Sequence, residues 1–114
     1  GQPVACTEGT QKRDYLYVRD VAAAFVSLLA SDVTGAVNIS SGQPVEVREI
    51  IYRIADQLDE RELVRLGALP MPQNEPPLLV GDTARLKTEV EWTPAYSLAD
   101  GLAETIQWWQ SRHE

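Results

Sequence analysis

The chain has 114 residues, 44% hydrophobic and 24% charged, a size and composition that specify one globular domain burying about two-thirds of its unfolded surface. Its 17 acidic and 10 basic side chains give a formal charge of -7, which repels phosphodiester backbones and anionic lipid heads and argues against nucleic acid or a membrane as partner. No apolar run approaches the ~20 residues of a membrane helix, Gly1-Gln2-Pro3 does not open a secretory signal, and the single Cys6 has no disulfide partner, so a reducing cytoplasm is the expected location.

In chain order, Val4 to Thr7 and Tyr15 to Val18 read as short strands separated by Glu8-Gly9-Thr10. Val21, Ala24, Phe25, Leu28 and Leu29 then form the stripe of an amphipathic helix ending near Ser31. After a turn at Thr34-Gly35, Ala36 to Ile39 reads as a strand stopped by the loop from Ser40 to Pro44. Val47, Ile50, Ile51, Ile54 and Leu58 mark a second helix, with Glu46, Arg48, Glu49, Arg53, Asp56 and Gln57 on its polar face. Four of the seven prolines crowd Leu69 to Pro77, which is expected to be an extended irregular connection. Leu78 to Val80 suits a short strand, and Asp82 caps a third helix through Ala84, Leu86 and Val90 that Trp92-Thr93-Pro94 ends. Ser97-Leu98-Ala99-Asp100 has the form of a capping box opening a fourth helix, whose face of Leu98, Leu102, Thr105, Ile106 and Trp109 puts Trp109 in the core and Trp108 at a rim. The order is β-β-α-β-α, an irregular stretch, then β-α-α: an α/β domain of about four helices and a few short strands, read as a single unit over residues 1–114.

Independent chemistry is scarce. With one histidine, His113, and one cysteine, Cys6, no zinc site of nitrogen and sulfur ligands can be assembled, and no metal is expected. The carboxylates are scattered: Asp56 and Glu60 can share a helical face, Glu89 and Glu91 cannot, and a solvated face accounts for both. Ser40 and Ser41 lack the flanking glycine of a nucleophile elbow, and His113, at the penultimate position, is read as a tail residue. The glycines at 1, 9, 35, 42, 67, 81 and 101 never reach the spacing at which backbone amides crowd a pyrophosphate. No catalytic residue is identified.

Three phrases in fixed order remain: RDYLYVRDVAAAF from Arg13 to Phe25, VNISSG from Val37 to Gly42, and GDTARLKTEVEWTPAYSLADGL from Gly81 to Leu102. With Thr7, Gly9 and Gln11 ahead of Arg13, they resemble the C-terminal, substrate-side portion of the extended short-chain dehydrogenases/reductases, the NAD(P)-dependent nucleotide-sugar epimerases and dehydratases. The resemblance covers Gly9 to about Trp109. It implies a small substrate-binding domain of an isomerase, lyase or oxidoreductase whose cofactor, NAD or NADP, belongs to an N-terminal Rossmann half lying outside these residues. The family's reactive pair is a tyrosine followed four residues later by a lysine; here Lys12 and Lys87 are preceded at that distance by Glu8 and Thr83. The chain by itself is therefore expected to bind no dinucleotide and to catalyse nothing.

On the substrate side the resemblance implies that Arg13, the arginine of R-D-(aromatic), reaches the diphosphate of a nucleotide sugar. A guanidinium suits that role because its planar fork can grip two phosphate oxygens. The plainer reading is that Arg13 pairs with a carboxylate of this acidic chain. Asp20 is read as a structural residue at a helix start, and Asn38 and Gly42 as a turn. Many relatives carry a second phosphate-binding arginine ahead of the G-D phrase, but residues 66–84 hold none and offer Met71, Gln73 and Asn74, of which Gln73 is the candidate substrate contact. The helix matching Val21 to Leu29 and the strand matching Ala36 to Ile39 lean on the dinucleotide-binding sheet in the family. An open strand edge, an exposed apolar face and self-association are therefore expected here. The alternative is a portion of a non-catalytic, nucleotide-sensing or scaffold protein of the same fold.

Overall fold

The computed structural model describes residues 1–112. Its elements are β1 (Val4–Ala5), β2 (Lys12–Asp14), α1 (Val18–Leu29), β3 (Pro44–Glu46), α2 (Val47–Gln57), a 3-10 turn (Arg61–Leu63), β4 (Val64–Arg65), α3 (Ala84–Thr88) and α4 (Leu98–Arg112). The strands form two separate pairs. β1 runs parallel to β4 in the register Val4 to Val64, and β2 runs antiparallel to β3 with Arg13 opposite Val45. The free edge of β2 is taken by the proline-rich stretch: Lys12 N–H donates to Pro77 O at 2.9 Å and Leu79 N–H to Lys12 O at 3.0 Å.

Helix α2 starts without a side-chain cap, since Glu46 occupies that position and makes no such bond. Two of its early amides, Val47 and Arg48, instead donate to the carbonyls of Gln11 and Gly9 at 3.0 and 2.9 Å, which meets the need of the helix's unpaired donors. Gly9 has φ +66° and lies so close to Arg48 that a Cβ would stand 2.8 Å from its amide nitrogen. Only glycine fits there without displacement. The T-x-G-x-Q phrase is thus, in part, the cap of another element.

The core is small. Ala24, Leu86 and Trp92 are buried together, with Leu16, Val37, Ile39 and Val90 packed around them, and Ile50 and Ala55 are buried on α2. Among the described residues no helix is long and apolar enough to cross a membrane.

Several expected elements are displaced. The strand expected at Tyr15 to Val18 lies at Lys12–Asp14, and Tyr15 to Tyr17 leads into α1. Ala36 to Ile39 is not a strand, although Val37 and Ile39 pack inward while Ala36 and Asn38 are exposed; the alternation is present but no ladder partner is, and a ladder defines a strand. β4 was not expected, and of Leu78 to Val80 only Leu78 bridges, to Lys12. The α1 stripe is split: Ala24 is buried, yet Phe25 is 53% and Leu29 86% exposed. Trp109 is not a core residue; it and Trp108 are about half exposed, their rings edge to face at 4.9 Å. Ser97 Oγ accepts the Asp100 amide at 3.1 Å, as the capping signal requires; Asp82 Oδ1 accepts the Ala84 amide at 2.9 Å, but Thr83 holds the cap position of α3, which ends at Thr88, short of Val90. His113 lies outside the described residues.

Candidate functional site

The three phrases are gathered by one carboxylate. Asp14, at the end of β2, accepts from the Ser41 amide (2.8 Å) and hydroxyl (2.7 Å) through Oδ1, and from the Gly42 amide (2.8 Å) and Gly81 amide (3.2 Å) through Oδ2. Burial alone would raise the Asp14 pKa, but the Ser41 hydroxyl and the amides of Ser41, Gly42 and Gly81 outweigh it, and the carboxyl titrates below its ordinary value. Asp20 makes a second tie. Only 2% exposed, it accepts the Ala95 and Tyr96 amides at 2.9 and 3.0 Å and so holds the approach to α4 against α1. Its role is structural as expected, by a different route, because it bonds remote amides rather than its own helix start.

Successive strand residues face opposite ways. With Asp14 turned to the 41–42 and 81 loops, Arg13 reaches the other side, toward the proline-rich stretch. Its Nη1 donates to Lys12 O at 2.8 Å and its Nη2 to Glu75 Oε1 at 2.5 Å. The side chains of this ion pair are 19% and 28% exposed. The carboxylate pairing raised as the plainer reading is therefore formed, across 62 residues. Gln73 sits in the exposed turn whose closing bond runs from the Glu75 amide to Pro72 O at 3.4 Å, and Asn74 takes φ +63° there. No hydrogen bond joins Gln73 to Arg13 among the described residues.

A separate groove of about 820 Å³ lies between the 15–18 segment, α2 and α4, lined by Tyr15, Tyr17, Arg53, Lys87, Tyr96 and Leu98 among others. Neither Arg13 nor Gln73 lines it. Burial pushes the Tyr15 phenol up while the Arg13 charge pulls it down, with a net rise, so at neutral pH Tyr15 stays protonated and can donate a hydrogen bond but not act as a base. Tyr17 and Tyr96 meet edge to face at 4.7 Å on the same wall. Glu75 and this groove escaped the reading of the sequence. Glu75 sits in a stretch without periodicity, and the groove is made by the convergence of three remote segments.

Two glycines of the phrases lie tight against their own chain. The close-approach glycines are filled by the chain itself: Arg48 occupies the space beside Gly9, and a Cβ on Gly42 would meet Thr83 Oγ1 at 2.9 Å.

The family model described as GDP-mannose 4,6 dehydratase matches residues 2–105. The chain is 36% identical over 102 residues to a GDP-6-deoxy-D-mannose reductase of Pseudomonas aeruginosa, covering 88% of this chain and 33% of that protein. It is 32% identical over 111 residues to a dTDP-glucose 4,6-dehydratase of Xanthomonas campestris, covering 90% and 32%. Among solved structures, RMD from Pseudomonas aeruginosa complexed with NADPH superposes with TM-score 0.81 at 30% identity, over 96% of this chain and 36% of that one. A UDP-glucose 4-epimerase of Thermotoga maritima with UDP-glucose superposes with TM-score 0.88 at 22% identity, over 98% and 36%, a likeness of fold. The chain thus spans about a third of the length of the relatives it matches. Its four helices and short strands are the fold expected from the three phrases, and the chain belongs to the GDP-mannose 4,6 dehydratase family, among the NAD(P)-dependent nucleotide-sugar epimerases and dehydratases.

Proposed function

We propose that this chain is the substrate-side domain of an NAD(P)-dependent epimerase, dehydratase or reductase acting on a nucleotide-diphosphate sugar, with Arg13 as its phosphate-binding residue. The observation that carries the reading is the convergence of the three phrases on Asp14: the same strand that ties them together delivers Arg13, a permanent cation, to the opposite side. Relatives of this family include a GDP-6-deoxy-D-mannose reductase and a dTDP-glucose 4,6-dehydratase, whose names share a nucleoside diphosphate joined to a hexose. Gln73, two residues from the partner of Arg13, is the second polar substrate contact in this reading.

In this reading NAD or NADP supplies hydride transfer from a Rossmann half contributed by the remaining two-thirds of the protein. This chain's own residues bind and orient: Arg13 fixes the diphosphate by charge-assisted hydrogen bonds, each contributing about 1.5 to 3 kcal/mol. Holding the sugar in one place is itself a contribution to rate. Alone, the domain is inactive. The outward face of α1, with Val18, Phe25, Val26 and Leu29, is where the cofactor half docks, and in its absence that face drives self-association.

The test is Arg13→Ala in the full-length protein. We expect nucleoside-diphosphate affinity to fall more than about tenfold, the loss of one charge-assisted contact, measured by titration calorimetry. Unchanged affinity would remove Arg13 from the site.

A further inference from the structure

Arg13 already has an anion on it. The parallel run that anchors Pro77 and Leu79 to Lys12 brings the preceding turn alongside β2, so Glu75 arrives at the guanidinium by backbone design rather than by a chance surface encounter. The second tether, Lys12 O, also accepts the Leu79 amide, so the arginine and the proline-rich stretch share an anchor. Both terminal nitrogens of the guanidinium are thereby engaged. A phosphate gripped in two places needs a pair of parallel N–H groups from the same fork. Residues 66–84 contain no basic side chain to take up the Glu75 charge once it is released. With the pair no more than 28% exposed, solvent screening is weaker than at an open surface.

We propose that Glu75 is a specificity-determining gate on Arg13: an internal anion that holds the guanidinium in the free protein and gives way when a phosphate binds. This rests on Arg13 being the phosphate residue. Diphosphate binding is therefore weaker than Arg13 alone would allow, and ligands that present an N–H, O–H or cationic group to the released carboxylate are favoured over those that present only phosphate.

The experiment measures GDP and UDP binding to the full-length protein by titration calorimetry, for the wild type, Glu75→Gln, Glu75→Asp and Arg13→Ala, with thermal unfolding recorded for each. Glu75→Gln, which removes the charge and keeps the shape, should tighten both nucleotides by about threefold to tenfold. Glu75→Asp, which keeps the charge, should stay near the wild type. A merely supporting role for Glu75 has the opposite sign: Glu75→Gln would then weaken binding, and that result overturns the gate while a loss in Arg13→Ala leaves the phosphate assignment standing. Equal tightening in the Gln and Asp variants would show that charge is not the cause and also overturns it. If Arg13→Ala binds as the wild type does, the phosphate assignment fails and the gate fails with it.

Discussion

Two places on a single phrase, Asp14 and Phe25, meet opposite conditions. At Asp14 four donors from two other segments converge on one carboxylate. Eleven residues on, α1 turns Phe25, Val26 and Leu29 toward solvent, although burying each would contribute about 1.5 to 3 kcal/mol. The Asp14 carboxylate is well served by donors, although Ser40 Oγ beside Gly81 is buried without a partner, and apolar burial is not complete on the helix the phrase launches. A fold of this size holds together through its buried hydrogen bonds when the core is as small as Ala24, Leu86 and Trp92.

The sharpest break of that contrast is at Asp20. Asp20→Ala strips two amides of their acceptor inside the structure, and should cost about 3 kcal/mol in denaturant unfolding. A loss below about 1 kcal/mol would mean water satisfies those amides. Asp14→Asn comes next, at about 2 kcal/mol near neutral pH, because an amide side chain cannot accept from every donor that the carboxylate serves. The pH dependence has a definite sign. Asp14 is held below its ordinary pKa in the folded state, so its contribution is full above about pH 4 and fades as pH falls through the lower folded-state value. An acid titration of stability should therefore show a step below about pH 4 in the wild type that is smaller in Asp14→Asn. The mildest change, Leu29→Asp, should alter stability by less than about 0.5 kcal/mol while reducing self-association in sedimentation experiments. A large loss of stability would place Leu29 against its own chain.

Much of this was legible beforehand. The helix at Val47 and the last helix follow from apolar spacing, and the Ser97 cap from local chemistry, because each depends on residues within one or two turns. Of the strands, β1 was read at Val4 but the others were not placed: β4 is two residues long and exists only because Val64 lies beside Val4. Ala36 to Ile39 has the pattern of a strand and no partner to make it one. Arg13 was legible as a candidate from its phrase, whereas Glu75 was not, since a lone acid in a proline-rich stretch carries no signal of the cation it will meet. The misplacement of Trp109 has the same origin. Apolar spacing says that a helix has a face but not whether another element covers it.

Arg85 has a consequence for the uncovered side. From α3 it donates to the carbonyls of Thr34 and Ala36, each at 2.8 Å, while Asn38 Nδ2 donates to Asp82 O at 3.3 Å. The stretch that lacks a ladder is thus pinned from behind at its beginning and its middle, with Val37 and Ile39 anchored in the core. Ordering that stretch further would therefore cost little, and for any polypeptide pairing along it the entropic cost would fall mainly on the newcomer.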